Sequence, residues 1–506
     1  MTALNLQDVE ENDAIETEEL DVVVVGSGFS GLGVAAQLDR AGFRSFRILE
    51  SHDDVGGAWR DNTYPGCGCD IPSPLYSYSF DQKPDWSRLF ASQPEILGYL
   101  KDFAHRRKLT DRIRFNERVD SAVWNADQQR WVTTTSAGTT YRSQFLIVAV
   151  GPLHHPIIPR LDGIEDFQGE VFHSAQWRHD VDLTGKRVAV VGTGASAIQF
   201  VPAIADEVAE MTVFQRTAPW ILPKSDRELD SRYKFLSRWF PPYRWYQRAR
   251  LFWIHEQRAS GFVEDPAAME KTARLAEAYL TRQVPDPELR AKLTPDYDIG
   301  CKRVLISSNW YRTLQRPNVD VVRGTVQRVN ASTVVGDDGQ ERPADVIIYG
   351  TGFDTQNSVR IDIVGRNGVH LRDAWRDANE SYLGTTVAGF PNMLTMVGPN
   401  SALGHNSQVF MIEAQTHYII DLLKKMRRRN LAAVDVLTEV QQRFNAWLDG
   451  RMARTVWQRG GCRSYYQNSK TGRNTVLWPD TSVAFWKRTR VARLDDYAVE
   501  HHRELQ

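Results

Sequence analysis

Two glycine-rich segments have the residue types and spacing of phosphate-binding turns. The first is Gly26-Ser27-Gly28-Phe29-Ser30-Gly31, and the second is Gly192-Thr193-Gly194-Ala195-Ser196-Ala197. Small residues at the first, third and sixth positions permit a tight turn, close approach of the backbone to a pyrophosphate, and tight packing of the next helix. Three glycines in six residues are a weak signal alone, so the flanking elements decide the interpretation.

The flanking elements favour nucleotide binding at both turns. Apolar strands at 22–25 and 187–191 precede the turns, and helices are predicted at 32–41 and 198–204. A strand at 46–49 then ends in Glu50, at the distance where a carboxylate accepts hydrogen bonds from ribose hydroxyls. The alternative for the first unit is a plain glycine turn in an α/β core.

The second unit has a different residue type at the corresponding position. Its strand at 211–214 runs into Gln215, Arg216 and Thr217. A carboxylate there would repel a 2′-phosphate, whereas a guanidinium binds one with paired hydrogen bonds. The pattern favours NADPH over NADH, the alternative being a surface arginine at a strand end. Two such units in one chain predict a bound flavin and a nicotinamide donor.

These elements predict an α/β fold with two Rossmann-like dinucleotide-binding domains and a helical insertion. The predicted parts are a disordered acidic tail (1–20), the first part of an FAD-binding domain (21–152), an NADP-binding domain (160–219 and 299–389), a helical insertion (220–298), and a C-terminal completion of the FAD-binding domain (390–506). The tail assignment depends on seven acids and no base in the first twenty residues.

Two longer motifs resemble those of a known family. Phe167, Gly169, His173 and Trp177 fit the F-x-G-x-x-x-H-x-x-x-W fingerprint of the type I Baeyer–Villiger monooxygenases, class B flavoprotein monooxygenases. The segment from Gly56 to Asp70 matches a second fingerprint of that family throughout. The resemblance implies FAD, NADPH and O2 as reactants, a ketone as substrate, an ester or lactone as product, and a flavin C4a-peroxide as oxidant.

The resemblance also assigns roles to individual residues. Arg303 matches the family's catalytic arginine, Asp70 the carboxylate that positions it, and Lys302 a contact to the NADPH 2′-phosphate. An interdomain salt bridge is the alternative for Arg303 and Asp70. His173 is expected to orient a hinge between the domains, together with the other residues of its fingerprint. Tyr465 stands where the family often has tryptophan, which puts the nicotinamide contact in doubt. The expected cofactor-binding residues are Gly26, Gly28, Phe29, Ser30, Gly31, Glu50, Gly57, Ala58, Trp59, Asp70, Tyr76, Gly192, Thr193, Gly194, Ala195, Ser196, Ala197, Arg216, Thr217, Lys302 and Arg303.

Two other functions are also consistent with two dinucleotide-binding turns. A flavin-containing monooxygenase that oxidises sulfur or nitrogen would use the same cofactors, but Trp177 and Asp70 argue against it. A non-catalytic redox sensor would bind dinucleotides and report their ratio, but it has no evident use for Lys302 and Arg303. Product analysis with a ketone and with a thioether distinguishes the sulfur- or nitrogen-oxidising enzyme, and a test for NADPH consumption distinguishes the sensor.

Charge and cysteine content limit the partners and the compartment. Lysine plus arginine (62) nearly cancels aspartate plus glutamate (63), which disfavours nucleic acid and anionic membranes in favour of a small molecule. Four cysteines predict neither a disulfide framework nor a metal site, and a reducing cytoplasm is expected. Aromatic residues and arginines alternate between Trp239 and Trp253; a helical cover or core packing is favoured there over a membrane-surface helix. No stable membrane insertion is expected, and the oligomeric state stays open.

Overall fold

A computed structural model of the chain describes residues 17–502. Its strands are β1 (Thr17–Val25), β2 (Phe46–Leu49), β3 (Ile113–Arg114), β4 (Val119–Asn125), β5 (Arg130–Thr135), β6 (Thr140–Val148), β7 (Glu170–His173), β8 (Arg187–Val191), β9 (Glu210–Gln215), β10 (Ile221–Leu222), β11 (Leu305–Ile306), β12 (Val319–Arg323), β13 (Val326–Asn330), β14 (Thr333–Gly336), β15 (Glu341–Pro343), β16 (Val346–Tyr349), β17 (Asp362–Val364), β18 (Met393–Thr395), β19 (Leu431–Val436) and β20 (Tyr497–His501). Its α-helices are α1 (Phe29–Arg40), α2 (Ala58–Asp61), α3 (Gln93–Arg106), α4 (Ala197–Ile204), α5 (Ser231–Trp239), α6 (Pro241–Glu256), α7 (Ala259–Val263), α8 (Pro266–Gln283), α9 (Pro287–Lys292), α10 (Trp310–Thr313), α11 (Leu371–Ala374), α12 (Gln408–Arg428), α13 (Thr438–Met452), α14 (Val456–Arg459) and α15 (Ser482–Thr489).

The first large sheet has the strand order β17-β4-β5-β6-β1-β2-β3, and β18 also pairs with β6. Strand β1 runs parallel to both neighbours, with Val22 opposite Phe46 on one side and Phe145 on the other. Residues 22–25 are all buried, because helices and loops cover both faces of this part of the sheet. Helix α1 packs against α12 on one face.

The second large sheet is entirely parallel, in the order β12-β9-β8-β16-β7. Val188 pairs with Met211 on one side of β8 and with Val346 on the other. The predicted α/β fold is confirmed, with two large sheets that each carry one of the glycine turns. A short turn joins β1 to α1 in the first sheet, and another joins β8 to α4 in the second. Both turns lie at the carboxyl ends of their strands, where open α/β sheets bind ligands.

Two of the predicted boundaries are wrong. The acidic tail was placed at 1–20, but Thr17 begins β1 because residues 17–20 pair with 140–143 of β6; the rest of the tail lies outside the described residues. The NADP-binding domain was extended to 389, but β17 pairs with β4 in the first sheet. The chain therefore returns to the first sheet about thirty residues earlier than predicted.

Five helices, α5 to α9, lie between β10 and β11. These two strands pair in parallel, with Ile221 opposite Leu305, so the two ends of this helical segment are held together. The pairing fixes the position of residues 302–304, which lead directly into β11. Among residues 17–502, none of the helices combines the length and apolar character needed to cross a bilayer.

Candidate functional site

A cavity of about 2150 Å³ lies between the two large sheets. Residues of both glycine turns form its walls, together with Glu50, Asp70, Arg216 and Arg303. Pockets for one drug-sized ligand are typically about 300–1,000 Å³. The cavity is therefore large enough for two dinucleotides that meet end to end.

The first glycine turn joins β1 to α1 and presents the helix N-terminus to the cavity. Gly26 has φ +100°, and a Cβ there would lie 2.8 Å from the carbonyl oxygen of Ala149. A Cβ on Gly31 would lie 1.8 Å from the carbonyl oxygen of Gly26, so only glycine permits this contact between helix and turn. Gly28, Phe29 and Ser30 line the cavity, whereas Gly31 packs α1 against the turn. Unpaired N–H groups at such an N-terminus suit a pyrophosphate.

Glu50 follows β2 and is almost completely buried beside the first turn. Its Oε2 accepts hydrogen bonds from the Ser27 backbone N–H (3.0 Å) and hydroxyl (2.6 Å), and its Oε1 accepts one from Arg60 (3.0 Å). Burial raises the pKa of Glu50, but the Arg60 charge and the Ser27 hydrogen bonds outweigh it, so the net pKa is lowered. The side chain is thus an ionised acceptor at physiological pH. Sequence reasoning missed Arg60, whose motif position carries no specified residue type.

The segment from Gly56 to Asp70 forms the wall next to the first turn. Gly57 has φ +53°, and a Cβ there would lie 3.1 Å from the Cα of Gly28. Trp59 donates from its indole nitrogen to the hydroxyl of Tyr76 (3.1 Å). Gly57, Ala58, Trp59 and Tyr76 all line the cavity. These residues are placed where a flavin next to the first turn would contact them.

The same segment also docks on helix α4 of the second unit. Gln199 of α4 accepts a hydrogen bond from the Tyr64 hydroxyl (3.0 Å) and donates one to the carbonyl oxygen of Gly68 (2.9 Å). A Cβ on Gly66 would lie 2.7 Å from the Gln199 carbonyl oxygen, so the two backbones are in close contact. These contacts fix the two glycine turns relative to each other. Gln199 gave no sequence signal, because its partners lie about 130 residues earlier in the chain.

The second glycine turn joins β8 to α4 with nearly the same geometry as the first. Gly192 has φ +104°, and a Cβ there would lie 2.7 Å from the carbonyl oxygen of Gly350. Gly192, Thr193, Gly194, Ala195 and Ser196 line the cavity, whereas Ala197 packs its Cβ against Gly350. The Thr193 hydroxyl donates to the carbonyl oxygen of Thr217 (3.4 Å), which connects this turn to the end of β9.

Two cations converge at the end of β9. Arg216 and Lys302 both line the cavity, and the ammonium group of Lys302 lies 4.8 Å from the ring centre of Tyr297. Burial lowers the pKa of Lys302, and the neighbouring Arg216 charge lowers it further. Two like charges held together in a cavity are a site for a dianion such as a 2′-phosphate.

Arg303 and Asp70 meet in the cavity wall, between the two turns. The Arg303 Nε and Nη2 lie 2.8 and 2.6 Å from Oδ2 of Asp70. The Asp70 charge raises the pKa of Arg303 far above its usual range, against the effect of burial. Tyr465 and Tyr466 interact electrostatically with Arg303, and Tyr466 is buried beside it. A permanently charged guanidinium thus faces the cavity, half-buried and held by a carboxylate.

A disulfide joins Cys301, the residue before Lys302 and Arg303, to the C-terminal part of the chain. Cys301 and Cys462 are bonded, with a Cα–Cα distance of 6.1 Å. The bridge holds residues 302–303 beside residues 463–466, which also line the cavity. The sequence predicted no disulfide framework, and this single pairing was not predicted. Cys67 and Cys69 are buried free thiols, and burial raises the pKa of Cys67 to about 11.

The proposed hinge residues lie outside the cavity lining. His173 is buried at the end of β7, accepts a hydrogen bond from the Ala175 N–H (3.0 Å), and has its pKa lowered to about 4 by burial. Trp177 packs against Phe172 and Phe200, the latter on α4. A Cβ on Gly169 would lie 2.2 Å from the Asp345 carbonyl oxygen, and Phe167 packs in the same core. His173 is therefore neutral at physiological pH, and the hinge role of these residues stays a prediction.

The residues present fit one flavin and one nicotinamide dinucleotide. Each turn offers a helix N-terminus for a pyrophosphate, Glu50 offers a carboxylate at the first, and Arg216 with Lys302 offers positive charge at the second. Arg303 lies between the two turns. The individual contacts are predictions from this placement.

Comparisons with known proteins point in one direction. Residues 23–233 match the family model described as pyridine nucleotide-disulphide oxidoreductase. The chain is 45% identical over 470 residues to a protein named Baeyer-Villiger monooxygenase from Pseudomonas aeruginosa, covering 93% of this chain and 89% of that one. A protein of the same name from Streptomyces coelicolor is 43% identical over 95% of this chain and 93% of its own length.

Solved structures give the same result. An oxidised steroid monooxygenase bound to NADP superimposes with a TM-score of 0.86 and 30% identity, covering 96% of this chain and 100% of that chain. A closed cyclohexanone monooxygenase has a TM-score of 0.87 and 28% identity over the same shares. The structure titled OTEMO, in complex with FAD and NADP, has a TM-score of 0.85 and 29% identity over 95% of this chain and 99% of that chain.

Proposed function

Because the chain belongs to the Baeyer–Villiger monooxygenase family, we propose that the cavity binds FAD at the first turn and NADPH at the second and carries out ketone oxidation. The enzyme is an FAD-dependent NADPH monooxygenase. The overall reaction converts a ketone, O2, NADPH and a proton into an ester or lactone, water and NADP. One oxygen atom enters next to the carbonyl carbon and the other leaves as water.

The observation that carries the assignment of the site is the Arg303–Asp70 pair in the wall between the two turns. Bound flavin supplies the reduction of O2. Arg303 stabilises the negative charge that develops on the reacting oxygen atoms, because a guanidinium beside a carboxylate keeps its proton. Asp70 positions the guanidinium, because its Oδ2 accepts a hydrogen bond from Nε and forms an ion pair with Nη2.

The remaining residues bind and orient the reactants. Glu50 and the first turn hold the flavin dinucleotide, with Trp59 and Tyr76 against it. Arg216 and Lys302 bind the 2′-phosphate of NADPH at the second turn. His173 takes no proton from the substrate, which is supported by its burial and its absence from the cavity lining.

The two other functions are less well supported. A sulfur- or nitrogen-oxidising monooxygenase shares the cofactors, but the relatives at 43% and 45% identity bear the Baeyer-Villiger name. A non-catalytic sensor gives no reason for a half-buried cation between two cofactor turns. We also propose a cytoplasmic location, because the enzyme requires NADPH. The Cys301–Cys462 bridge argues against a reducing compartment. Thiol titration of freshly extracted protein tests whether the bridge is present in the cell.

The experiment measures NADPH and O2 consumption with cyclic, aromatic and long-chain ketones and with a thioether, and identifies the products. We expect esters or lactones from at least one ketone class. In Arg303→Ala, NADPH still reduces the flavin but O2 is released as peroxide and ester formation falls at least about a thousandfold. The surface variant Arg372→Ala is the control. Normal ester formation by Arg303→Ala would refute the proposed role.

A further inference from the structure

Helix α6 turns an aromatic face to solvent. Trp245, Tyr246, Trp253 and Ile254 are spaced so that they share one side of the helix, and the first three are 53%, 62% and 55% exposed. Two of its three buried residues, Arg248 and His255, lie on the opposite side, and the third, Glu256, is the last residue of the helix. An amphipathic helix of a globular protein has the reverse arrangement, with its apolar side turned to the core.

The junction with α5 extends this face. Trp239 and Phe240, where α5 ends and α6 begins, are 71% and 55% exposed, and Phe235 of α5 is also exposed. These seven side chains form what we call the aromatic surface. They are seven of the sixteen exposed large apolar side chains in the described part of the chain, although they span only twenty residues. Core packing, one of the two arrangements favoured from sequence, is therefore wrong for them, because they are exposed within residues 17–502; the helical cover stays a prediction.

The aromatic surface lies on a basic segment. Residues 231–255 contain six arginines and lysines and no carboxylate. Arg238 pairs with Asp85 (2.8 Å), and Arg248 is buried against carbonyl oxygens of residues 74–77. In residues 17–502, no carboxylate forms an ion pair with the other four, which are Arg232, Lys234, Arg244 and Arg250.

We propose that the aromatic surface docks reversibly on a bilayer that contains anionic phospholipid. Tryptophan and tyrosine side chains are suited to the boundary between headgroups and acyl chains, since their rings are apolar and their N–H and O–H groups stay hydrated. Cations beside them bind lipid phosphates, which strengthens an interfacial helix that does not cross the membrane. A second copy of the chain fits this surface less well, because it would bring a second set of unpaired cations against the first.

The test uses the FAD-loaded enzyme and vesicle flotation. Vesicles of phosphatidylcholine alone are compared with vesicles that also contain about 30 mol % phosphatidylglycerol, at low salt and at about 0.5 M salt. We expect binding to the anionic vesicles only, reversed by salt. Arg244→Gln with Arg250→Gln should weaken partitioning about 30-fold, at roughly fivefold per cation. Trp245→Ser with Trp253→Ser should weaken it at least about tenfold.

Matched controls change the same residue types elsewhere. Trp486→Ser, and Arg372→Gln with Arg376→Gln, alter exposed side chains outside the aromatic surface and should leave binding unchanged. Flavin absorbance and NADPH oxidation with a water-soluble ketone should be unchanged in every variant, which shows that each is folded. Equal binding to both vesicle types, no binding, or no loss in the variants would overturn the proposal. Self-association abolished by the tryptophan changes would assign the surface to a second copy, and binding to polyglutamate but not vesicles would assign it to an acidic protein.

Discussion

The two glycine turns share their backbone geometry but differ in the charge of the side chains around them. Gly26 and Gly192 have φ values of +100° and +104°, and each lies against the carbonyl oxygen of a residue that follows a neighbouring strand. Beside the first turn Glu50 is a buried carboxylate paired with Arg60, and Asp70 ends the adjoining segment, whereas the charged groups at the second turn are the cations Arg216 and Lys302. The comparison supports the proposal that the turn binds a pyrophosphate in either unit, while the surrounding side chains select the rest of the ligand.

One ion pair joins the segments beside the two turns. Asp70 belongs to the segment beside the first turn and Arg303 to the end of the helical segment beside the second. Their ion pair crosses from one unit to the other, and the Gln199 contacts and the Cys301–Cys462 bridge hold the same boundary. Substitutions beside the first turn should therefore affect flavin binding, and substitutions beside the second turn should affect NADPH binding. Substitutions at the boundary should affect the coupling of flavin reduction to ester formation.

The largest effect in this comparison is expected at the shared ion pair. Asp70→Asn keeps the shape of the side chain but removes its charge, so Arg303 loses the partner that positions it. We expect ester formation to fall about 30- to 100-fold, from the energy of a hydrogen bond to a charged group, with flavin reduction by NADPH nearly unchanged. Stopped-flow reduction and product analysis separate the two steps. An equal loss in both would mean that Asp70 acts on the fold and not on coupling.

The next effect sharpens the comparison at the second turn. Arg216→Gln removes one of two cations at the proposed 2′-phosphate site, and we expect the KM for NADPH to rise about 30-fold. The KM for NADH should change less than about threefold, because NADH lacks this phosphate. Steady-state kinetics with both nucleotides provide the measurement, and flavin content serves as the control. Parallel changes for NADPH and NADH would contradict the assignment.

A smaller effect is expected at the first turn. Glu50→Gln removes an ionised acceptor beside the flavin site, and we expect FAD affinity to fall about tenfold with an unchanged KM for NADPH. The lowered pKa keeps Glu50 charged as the pH falls, so its contribution to FAD retention is complete above the ordinary value of 4.5 and is lost only below it. Flavin fluorescence against pH measures the release. Loss of FAD from the wild-type enzyme near neutral pH, absent in Glu50→Gln, would contradict this sign.

The smallest effect is expected at Tyr465, which lines the cavity beside Arg303. Tyr465→Trp keeps an aromatic ring on a partly exposed position and replaces the hydroxyl. We expect peroxide release without ester formation to change by about threefold or less, because neither the cation nor its partner is altered. Peroxide and ester yields per NADPH consumed give the answer. A change as large as that of Asp70→Asn would place Tyr465 among the residues that position Arg303.

Sequence reasoning worked best where local spacing carries the information. Strands β2 and β8 have the predicted bounds, and each glycine turn lies between the strand and helix expected from apolar periodicity. It was wrong where pairing with distant strands decided, as at Thr17 and at β17. Arg60 and Gln199 gave no signal, because their partners are set by the packing of one segment on another.

The sequence by itself determined the two glycine turns. It also determined the acid (Glu50) that follows the second strand of the first unit and the arginine (Arg216) that follows the second strand of the other, because glycine conformation and strand periodicity are local properties. Only the tertiary structure decided the contacts between distant residues. Asp70 and Arg303 are 233 residues apart, and Cys301 and Cys462 are 161 apart, so their meeting depends on how the sheets dock. The solvent exposure of Trp245 and Trp253 was decided in the same way, since helical spacing shows which side chains share a face but not what covers that face.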